Sequence, residues 1–293
     1  MKEKSQFEKN AADKQVELLS EALNGAVSAG GHWLNATGKG YPKFYPKGVA
    51  VSPFNALFMA LHSDKTGSKT NLFTLYSEAK ARGESVREHE KGVPFLFYNW
   101  NKYVNRNNPN DIISRNDYQQ LPPEERNRYK GIHNREIRTL FTIDQTLLPL
   151  VDKNVYETLV QKHGNSVEQG FGEKELRELR PRFNAFVQAI SKNMVPVRTD
   201  GSGVAHYDSQ KDAVYIPRQK DFEHYTDYAQ ETLRQIIAAT GHQQRLAREG
   251  MVMKNGVPPT EDAVKQEHLI SEIASGIKML EMGLPARTLR SEE

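Results

Sequence analysis

Residues 232–242, which read TLRQIIAATGH, decide the fold of the C-terminal half. From Tyr225 onwards, side chains that suit a protein interior recur at the spacing of one broad face of an α-helix. They belong to Tyr225, Tyr228, Ala229, Thr232, Leu233, Ile236, Ile237 and Thr240. The pattern predicts a buried helix over residues 221–249, with Arg234 and Ala238 one turn apart on the side away from the core.

Two further elements flank this helix. The runs at 205–207 and 213–216 are joined by DSQKD, which predicts a small antiparallel β-hairpin. Thr260 is the predicted N-cap of a last helix that ends near Met282. The side chains that we expect this helix to bury are Leu269, Ile270, Ile273, Ile277 and Leu280. The C-terminal part is therefore expected to be mainly helical, with a small β-hairpin.

The N-terminal half mixes helices and strands. Helices are predicted over residues 3–29 and 54–62, and strands over 93–98 and 138–144. Residues 99–116 contain seven asparagines and are interpreted as a long polar loop.

The segment 32–53 is rich in glycine, proline, lysine and aromatic residues and is predicted to be a loop. Its lysines alternate with aromatic side chains, in the order Lys39, Tyr41, Lys43, Phe44, Tyr45 and Lys47. Aromatic planes between cations are typical of a single-stranded nucleic acid site. A surface loop that is held in place by its aromatic side chains explains the pattern equally well.

The composition restricts the classes of function. The 293 residues include no cysteine, which excludes disulfides, thiolate metal sites and cysteine nucleophiles. No apolar run is long enough to cross a membrane, and residues 1–15 lack the apolar core of a signal peptide. We therefore expect a cytoplasmic protein with no membrane partner.

Charge is distributed unevenly along the chain. Residues 1–150 contain 21 Lys+Arg against 16 Asp+Glu, whereas residues 151–293 contain 19 against 21. This asymmetry favours two domains with different partners. A polar stretch with several glycines at 164–172 is the candidate linker between them.

Several motifs occur in a definite order along the chain. The N-terminal motifs lie within 33–146 and are Trp33, FNAL at 54–57, VREHEKG at 86–92 and FTIDQT at 141–146. The C-terminal motifs lie within 204–283 and are AHYDSQKDAVYIP at 205–217, TGH at 240–242 and EHLISE at 267–272. In this order they resemble the ArdC-type antirestriction proteins of plasmids and conjugative elements.

The resemblance implies an α+β protein with two domains. The first, over residues 1–162, would be a mixed α/β single-stranded-DNA-binding domain with an asparagine-rich insertion near 99–131. The second, over residues 173–293, would be a zincin-like metallopeptidase domain.

One departure from the family pattern concerns the chemistry directly. The family helix resembles HExxHxTGH, and with TGH aligned its first histidine, glutamate and second histidine fall on Arg234, Gln235 and Ala238. Arginine has no lone pair for a metal and alanine has no ligand atom, while glutamine cannot act as a general base. The sequence therefore predicts a catalytically inactive domain that uses no cofactor.

Residual metal ligands remain in the sequence. His242 ends the TGH motif, and Glu267 and Glu272 match the carboxylates that the resemblance places on the last helix. A metal-dependent hydrolase with a relocated metal site is therefore an alternative function.

The function that the resemblance implies is single-stranded-DNA binding with an antirestriction-like role in a plasmid or conjugative element. The expected DNA-binding residues are Phe54, Asn55, Thr74, Arg82, Arg87, Lys91, Tyr98, Trp100 and Lys102. The C-terminal domain could bind a protein partner, and a non-catalytic protein-interaction protein is a further alternative.

Overall fold

The computed structural model describes residues 6–29, 32–34, 39–164, 173–201, 203–253, 256–284 and 286–287. Residues 3–5 of the first predicted helix and most of the candidate linker at 164–172 lie outside these residues.

Helices and strands are interspersed along the chain, and the α+β class is confirmed. The helices are α1 (Gln6–Ala29), α2 (Pro53–Lys65), α3 (Tyr76–Ala81), α4 (Arg115–Gln120), α5 (Pro123–Arg126), α6 (Leu148–Val151), α7 (Lys153–His163), α8 (Glu173–Asn193), α9 (Tyr225–Thr240) and α10 (Glu261–Met282). The strands are β1 (His32–Leu34), β2 (Lys43–Phe44), β3 (Val49–Ala50), β4 (Leu72–Leu75), β5 (Val93–Asn105), β6 (Ile112–Ser114), β7 (Tyr129–Thr142), β8 (Val197–Thr199), β9 (His206–Asp208), β10 (Ala213–Ile216) and β11 (Ala286–Arg287).

The N-terminal half is built on a six-stranded sheet with the order β3-β2-β4-β7-β5-β6. Strands β5 and β7 form a long antiparallel pair, and β6 and α4 lie at its far end. We call residues 93–142, which form these elements, the ribbon. A bulge between Asn99 and Lys102 bends it.

The ribbon corrects the prediction of a polar loop at 99–116. Strand β5 continues to Asn105 because its residues pair with β7 and β6, and this pairing outweighs the low strand propensity of asparagine. Asn107, Asn108 and Asn110 form the turn beyond the strand. Backbone amides of Asn107 and Asn110 donate to the side-chain oxygens of Asn105 and Asn108, at 3.0 and 3.1 Å.

The segment 39–50 is fixed to the sheet rather than free. It contains β2 and β3, and the Tyr41 hydroxyl donates to the Val51 carbonyl at 3.0 Å. The ring of Phe44 packs edge-on against Phe95, with 5.1 Å between centroids. Lys39 is buried. These contacts favour the interpretation of a segment that its aromatic side chains hold in place.

Helix α9 has the predicted buried face but is shorter than predicted. Leu233 and Ile236 are buried, and the helix ends at Thr240 instead of continuing to residue 249. Two arginines in the turn that follows α9 donate to backbone carbonyls in the last turn of the helix. Arg245 Nε donates to Ala239 O and Arg248 Nη2 donates to Ile237 O, both at 2.7 Å. Cations at these carbonyls stabilise a helix end.

Helix α10 buries only part of the predicted face. Leu280 is buried and Ile273 and Ile277 are partly buried against the apolar core, whereas Leu269 and Ile270 are 47% and 40% exposed. The fully buried residues are mainly small and acidic: Ala263, Glu267, Ser271, Glu272, Ser275, Gly276, Met279 and Leu280. The apolar pattern failed at Leu269 and Ile270 because ion pairs of Glu267 and Glu272 and close backbone packing at Gly276 fill much of this interface.

The predicted β-hairpin is formed by β9 and β10. Strand β8 pairs with β10 in parallel and completes a three-stranded sheet with the order β8-β10-β9. The sequence analysis missed β8, which is three residues long.

The two halves share one apolar core. Its buried side chains include Leu57 and Phe73 from the N-terminal half and Phe183, Leu233 and Met279 from the C-terminal half. Strand β1 also pairs with β11 near the C-terminus. No helix in the described part of the chain is long and apolar enough to cross a membrane.

Candidate functional site

The side chain of Arg234 lies at the contact between α9 and α10. Its Nε donates to Oε2 of Glu272 at 2.7 Å, and its Nη2 forms an ion pair with the same oxygen. Its Nη1 pairs with Glu231, one turn earlier on α9. The side chains of Arg234 and Glu272 are only 11% and 4% exposed. A permanently charged group is therefore held inside the protein by carboxylates.

The second oxygen of Glu272 is also occupied. Its Oε1 accepts from the indole Nε1 of Trp33 at 2.9 Å and from Nε2 of Gln230 at 3.3 Å. Burial raises the pKa of Glu272, whereas Arg234 and the indole of Trp33 act in the opposite direction. Three donors around one carboxylate favour its ionised form. Glu272 and Arg234 therefore form a buried ion pair.

Glu267 is held in the same way by a second arginine. Arg248 Nε donates to Oε2 of Glu267 at 2.7 Å, and its Nη2 pairs with Oε1. The Nη1 of Arg248 also donates to the Thr240 hydroxyl at 2.6 Å. We call Arg234, Glu272, Arg248 and Glu267 together the α9–α10 interface.

The α9–α10 interface does not fit a metal ion. Positions 234 and 238 present a cation and a methyl group, and each glutamate oxygen is engaged by a donor or a cation. The remaining candidate, His242, accepts the backbone N–H of Gln244 at its Nδ1, at 3.3 Å. Within the described ranges, no three His, Asp or Glu side chains converge on a position where a metal could bind.

Three of the expected DNA-binding residues form hydrogen bonds inside the N-terminal fold. Asn55 exchanges two hydrogen bonds with the backbone of Leu96, both at 2.9 Å, and so fixes α2 to the ribbon. Thr74 is buried and accepts from Arg82 Nη2 at 3.0 Å. The Arg82 guanidinium lies 4.8 Å from the centroid of the Tyr45 ring.

Other expected DNA-binding residues lie on the surface. Phe54 and Tyr98 are about half exposed, at 48% and 50%, and Lys91 and Lys102 are exposed. Arg87 is exposed and pairs with Glu90 at 2.6 Å. The side chain of Trp100 lies outside the described part of the structure.

Of these surface residues, Tyr98 and Lys102 lie on the ribbon. Lys91 precedes β5 and Lys102 lies beyond its bulge, so the chain between them spans at most about 35 Å when fully extended. Residues that are spread along a strand suit an elongated ligand better than a compact one.

Additional cations at the far end of the ribbon were missed by the sequence analysis. They are exposed, and none forms an ion pair with a described residue: Arg106, Arg115, Arg128 and Lys130. Lys102 pairs with Ile132 and Val104 with Lys130, so both lysines project from one face. Two nearby acids are occupied: Asp111 accepts from Tyr129 at 2.8 Å, and Asp117 caps α4. The basic residues within 99–131 were the sequence signal from which this group of cations could have been predicted.

Two family models match the chain. Residues 9–141 match the N-terminal domain of anti-restriction factor ArdC, and residues 181–292 match a zincin-like metallopeptidase family. No curated protein matches.

Two solved structures have the same fold as this chain. The metal-free crystal structure of the antirestriction ArdC protein from the R388 plasmid aligns with a TM-score of 0.54 and 21% identity, over 93% of this chain and 82% of that one. The Mn(II)-bound structure of that protein aligns with a TM-score of 0.55 and 18% identity, over 92% and 81%. The two family models occur in the same order as in the resemblance and together span more than four fifths of the sequence, so the chain belongs to the ArdC-type antirestriction proteins.

Proposed function

We propose that this chain is a single-stranded-DNA-binding protein with an antirestriction role, and that its zincin-like domain does not hydrolyse peptides. The observation that carries the DNA-binding part is the set of exposed cations along the ribbon that form no ion pair with a described carboxylate. The role in a plasmid or conjugative element follows from membership of the ArdC-type family alone.

Single-stranded DNA suits the ribbon in shape and in charge. Cations distributed along an extended surface can follow a phosphate backbone, and release of counterions then supplies much of the binding free energy. Exposed aromatic side chains such as Tyr98 offer a plane on which a base can stack. A groove lined by cations and aromatic rings is a common way to bind a single strand without sequence preference.

The absence of peptidase activity is proposed from the donor set. A zincin-type mechanism requires ligands with lone pairs and a general base that accepts a proton from water. Arg234 stays protonated, Ala238 has no donor, and the Gln235 amide does not accept that proton. Glu272, which could supply a carboxylate, is already neutralised by Arg234.

A salt titration with a fluorescently labelled single-stranded oligonucleotide tests the DNA-binding part. Binding should weaken steeply between 50 and 200 mM salt, as is typical of phosphate contacts (range from). Replacing both Lys102 and Lys130 by alanine should reduce the slope of log K against log salt by about 1.4, or about 0.7 for each lost contact.

The matched control is Lys265→Ala, which removes one exposed lysine from α10 in the C-terminal half. It should leave both affinity and slope unchanged. Absence of binding at the lowest salt concentration would exclude the proposal. An equal loss in Lys265→Ala would show that net charge, rather than the ribbon, determines binding.

Metal analysis of the purified chain tests the second part of the proposal. We expect no stoichiometric zinc or manganese and no cleavage of an unfolded peptide substrate. A bound ion that is lost on His242→Ala would instead favour the alternative of a relocated metal site.

A protein-interaction role for the C-terminal domain is the second candidate function. The observation that favours it is the exposure of Leu269 and Ile270 on α10. If this candidate is correct and DNA binding is absent, the salt titration will fail while the chain still associates with a protein partner through α10.

A further inference from the structure

Trp33 links the N-terminal half to the α9–α10 interface. Besides the hydrogen bond to Glu272, its ring lies directly against the backbone of α10 at Gly276. A Cβ atom placed on Gly276 would lie 2.2 Å from Cζ2 of Trp33, so only glycine allows this approach. The indole therefore has a fixed position, which orients its N–H towards Glu272.

The Glu272 carboxylate is the common partner of both halves. It accepts from Trp33 in β1 and from Arg234 and Gln230 in α9. A buried carboxylate without a counter-charge is strongly unfavourable. In the zincin-type pattern, a metal ion would supply that positive charge at the positions that Arg234 and Ala238 occupy here.

We infer that the Arg234 guanidinium is a permanent internal cation that takes the place of a metal, and that through Glu272 it fixes Trp33 and joins the two halves of the chain. The arrangement supplies positive charge that neither a chelator nor a change of pH within the range of protein stability can remove. Arg234 thus accounts both for the loss of the metal-binding pattern and for the stability of the contact between the halves.

Buried ion pairs give this inference a specific signature. Removal of Arg234 leaves Glu272 buried without its counter-charge, whereas removal of Glu272 leaves Arg234 paired with Glu231 alone. The variant Arg234→Gln should therefore be much less stable than the variant that carries Arg234→Gln and Glu272→Gln together.

A double-mutant cycle in urea tests this signature, with Trp100 replaced by phenylalanine so that fluorescence reports on Trp33. We expect Arg234→Gln to lower the equilibrium constant for folding by more than about 100-fold and to shift the Trp33 emission towards the red. The second change, Glu272→Gln, should recover at least tenfold of that loss.

The matched control pair is Arg138 and Glu136 on the ribbon, whose nitrogen and oxygen lie 2.9 Å apart with both side chains 43% exposed. The same cycle there should give a coupling of less than about fivefold. Coupling at Arg234 and Glu272 that is no larger than this control would overturn the inference.

An insoluble variant and a bound metal ion each require a further measurement. If Arg234→Gln is insoluble, recovery of soluble protein in the double variant supports the inference, and its absence overturns it. EDTA should leave the urea midpoint of the unmodified chain unchanged, whereas a lower midpoint would show that a metal, not Arg234, supplies the charge. These measurements use no DNA, so their result is independent of whether the ribbon binds a single strand.

Discussion

The α9–α10 interface and the ribbon both contain several basic side chains but use them in opposite ways. At the interface, Arg234 and Arg248 are mostly buried, and each forms an ion pair with a glutamate of α10. On the ribbon, Lys102, Lys130 and Arg106 are exposed and form no ion pair with a described residue. The interface has its counter-charges within the chain, whereas the ribbon would obtain them from a ligand.

This difference shows why a count of basic residues is a poor guide to nucleic acid binding. A cation contributes to a phosphate site only if no carboxylate of the same chain already holds it. The interface is therefore expected to respond to mutation through stability and the ribbon through affinity.

Gly276→Ala should damage the α9–α10 interface most. The added methyl group would lie 2.2 Å from Trp33, so either the indole leaves Glu272 or the helix moves. We expect a loss of about 3 kcal/mol in the free energy of unfolding, measured by urea titration. The folded variant should bind the oligonucleotide with unchanged affinity.

The control for this variant is Gly25→Ala in α1, where nothing lies within 4 Å of an added Cβ. It makes the same change within a helix and should stabilise the chain by up to about 1 kcal/mol. Equal effects at the two positions would show that the contact between Trp33 and Gly276 does not stabilise the fold.

Replacing Arg234 and Ala238 by histidine should create a metal site. Two histidines at i and i+4 lie on one helix face, and Glu272, released from Arg234, becomes a carboxylate ligand beside them. We expect about one zinc ion per chain and, at a free zinc concentration 100 times Kd, about 2.7 kcal/mol of added stability.

Ala238→His alone is the matched control, because it leaves Arg234 in place against Glu272. This variant should bind no zinc, since the guanidinium occupies the carboxylate and repels the ion. Zinc binding by both variants, or by neither, would contradict the assignment of Arg234 to the position of the metal.

The α9 helix shows what could be predicted from the sequence. Its buried face followed from a period of 3.6 residues, and Leu233 and Ile236 are in the core. The resemblance, through TGH, identified Arg234, Gln235 and Ala238 as the positions that depart from the family motif. The contact of Arg234 with Glu272 could not be predicted, because Glu272 lies 38 residues later, and neither could that of Glu272 with Trp33, which lies 239 residues before it. No local pattern encodes contacts at such separations.

The last helix and the ribbon show where pattern analysis failed. In α10 the apolar pattern predicted burial of Leu269 and Ile270. Both are exposed, because mainly small and acidic residues form the buried face. In the ribbon, pairing with β7 and β6 imposes strand structure on an asparagine-rich sequence. Both errors arise because tertiary contacts outweigh local preference.

Within the ribbon, paired and unpaired arginines should differ in their effect on binding. Arg138 pairs with Glu136 at 2.9 Å and lies 5.1 Å from the Phe97 ring, whereas Arg106 has no such partner in the described structure. Arg106→Ala should weaken binding of a single-stranded oligonucleotide by about fivefold and reduce its salt slope, and Arg138→Ala should have little effect. A larger loss in Arg138→Ala than in Arg106→Ala would contradict the comparison.

His62 is a third kind of basic side chain, one that is buried without an ion-pair partner among the described residues. Its replacement should have the smallest effect. It is buried in α2, where its Nε2 lies 3.2 Å from Oε1 of Gln145, and it forms no ion pair with a described carboxylate. Burial lowers its pKa, although the hydrogen bond that His62 donates to Gln145 and the charge of Glu90 act in the opposite direction, and Lys14 and Lys65 support the decrease.

The sign of the resulting pH dependence follows from the lowered pKa. Below about pH 6.5 the unfolded chain binds a proton at this histidine more readily than the folded chain does, so stability falls as pH decreases through that range. His62 should therefore contribute a loss of stability between pH 7 and pH 6. His62→Gln should remove this component from urea titrations at the two pH values. An unchanged pH dependence in that variant would mean that the pKa of His62 is the same in the folded and the unfolded chain.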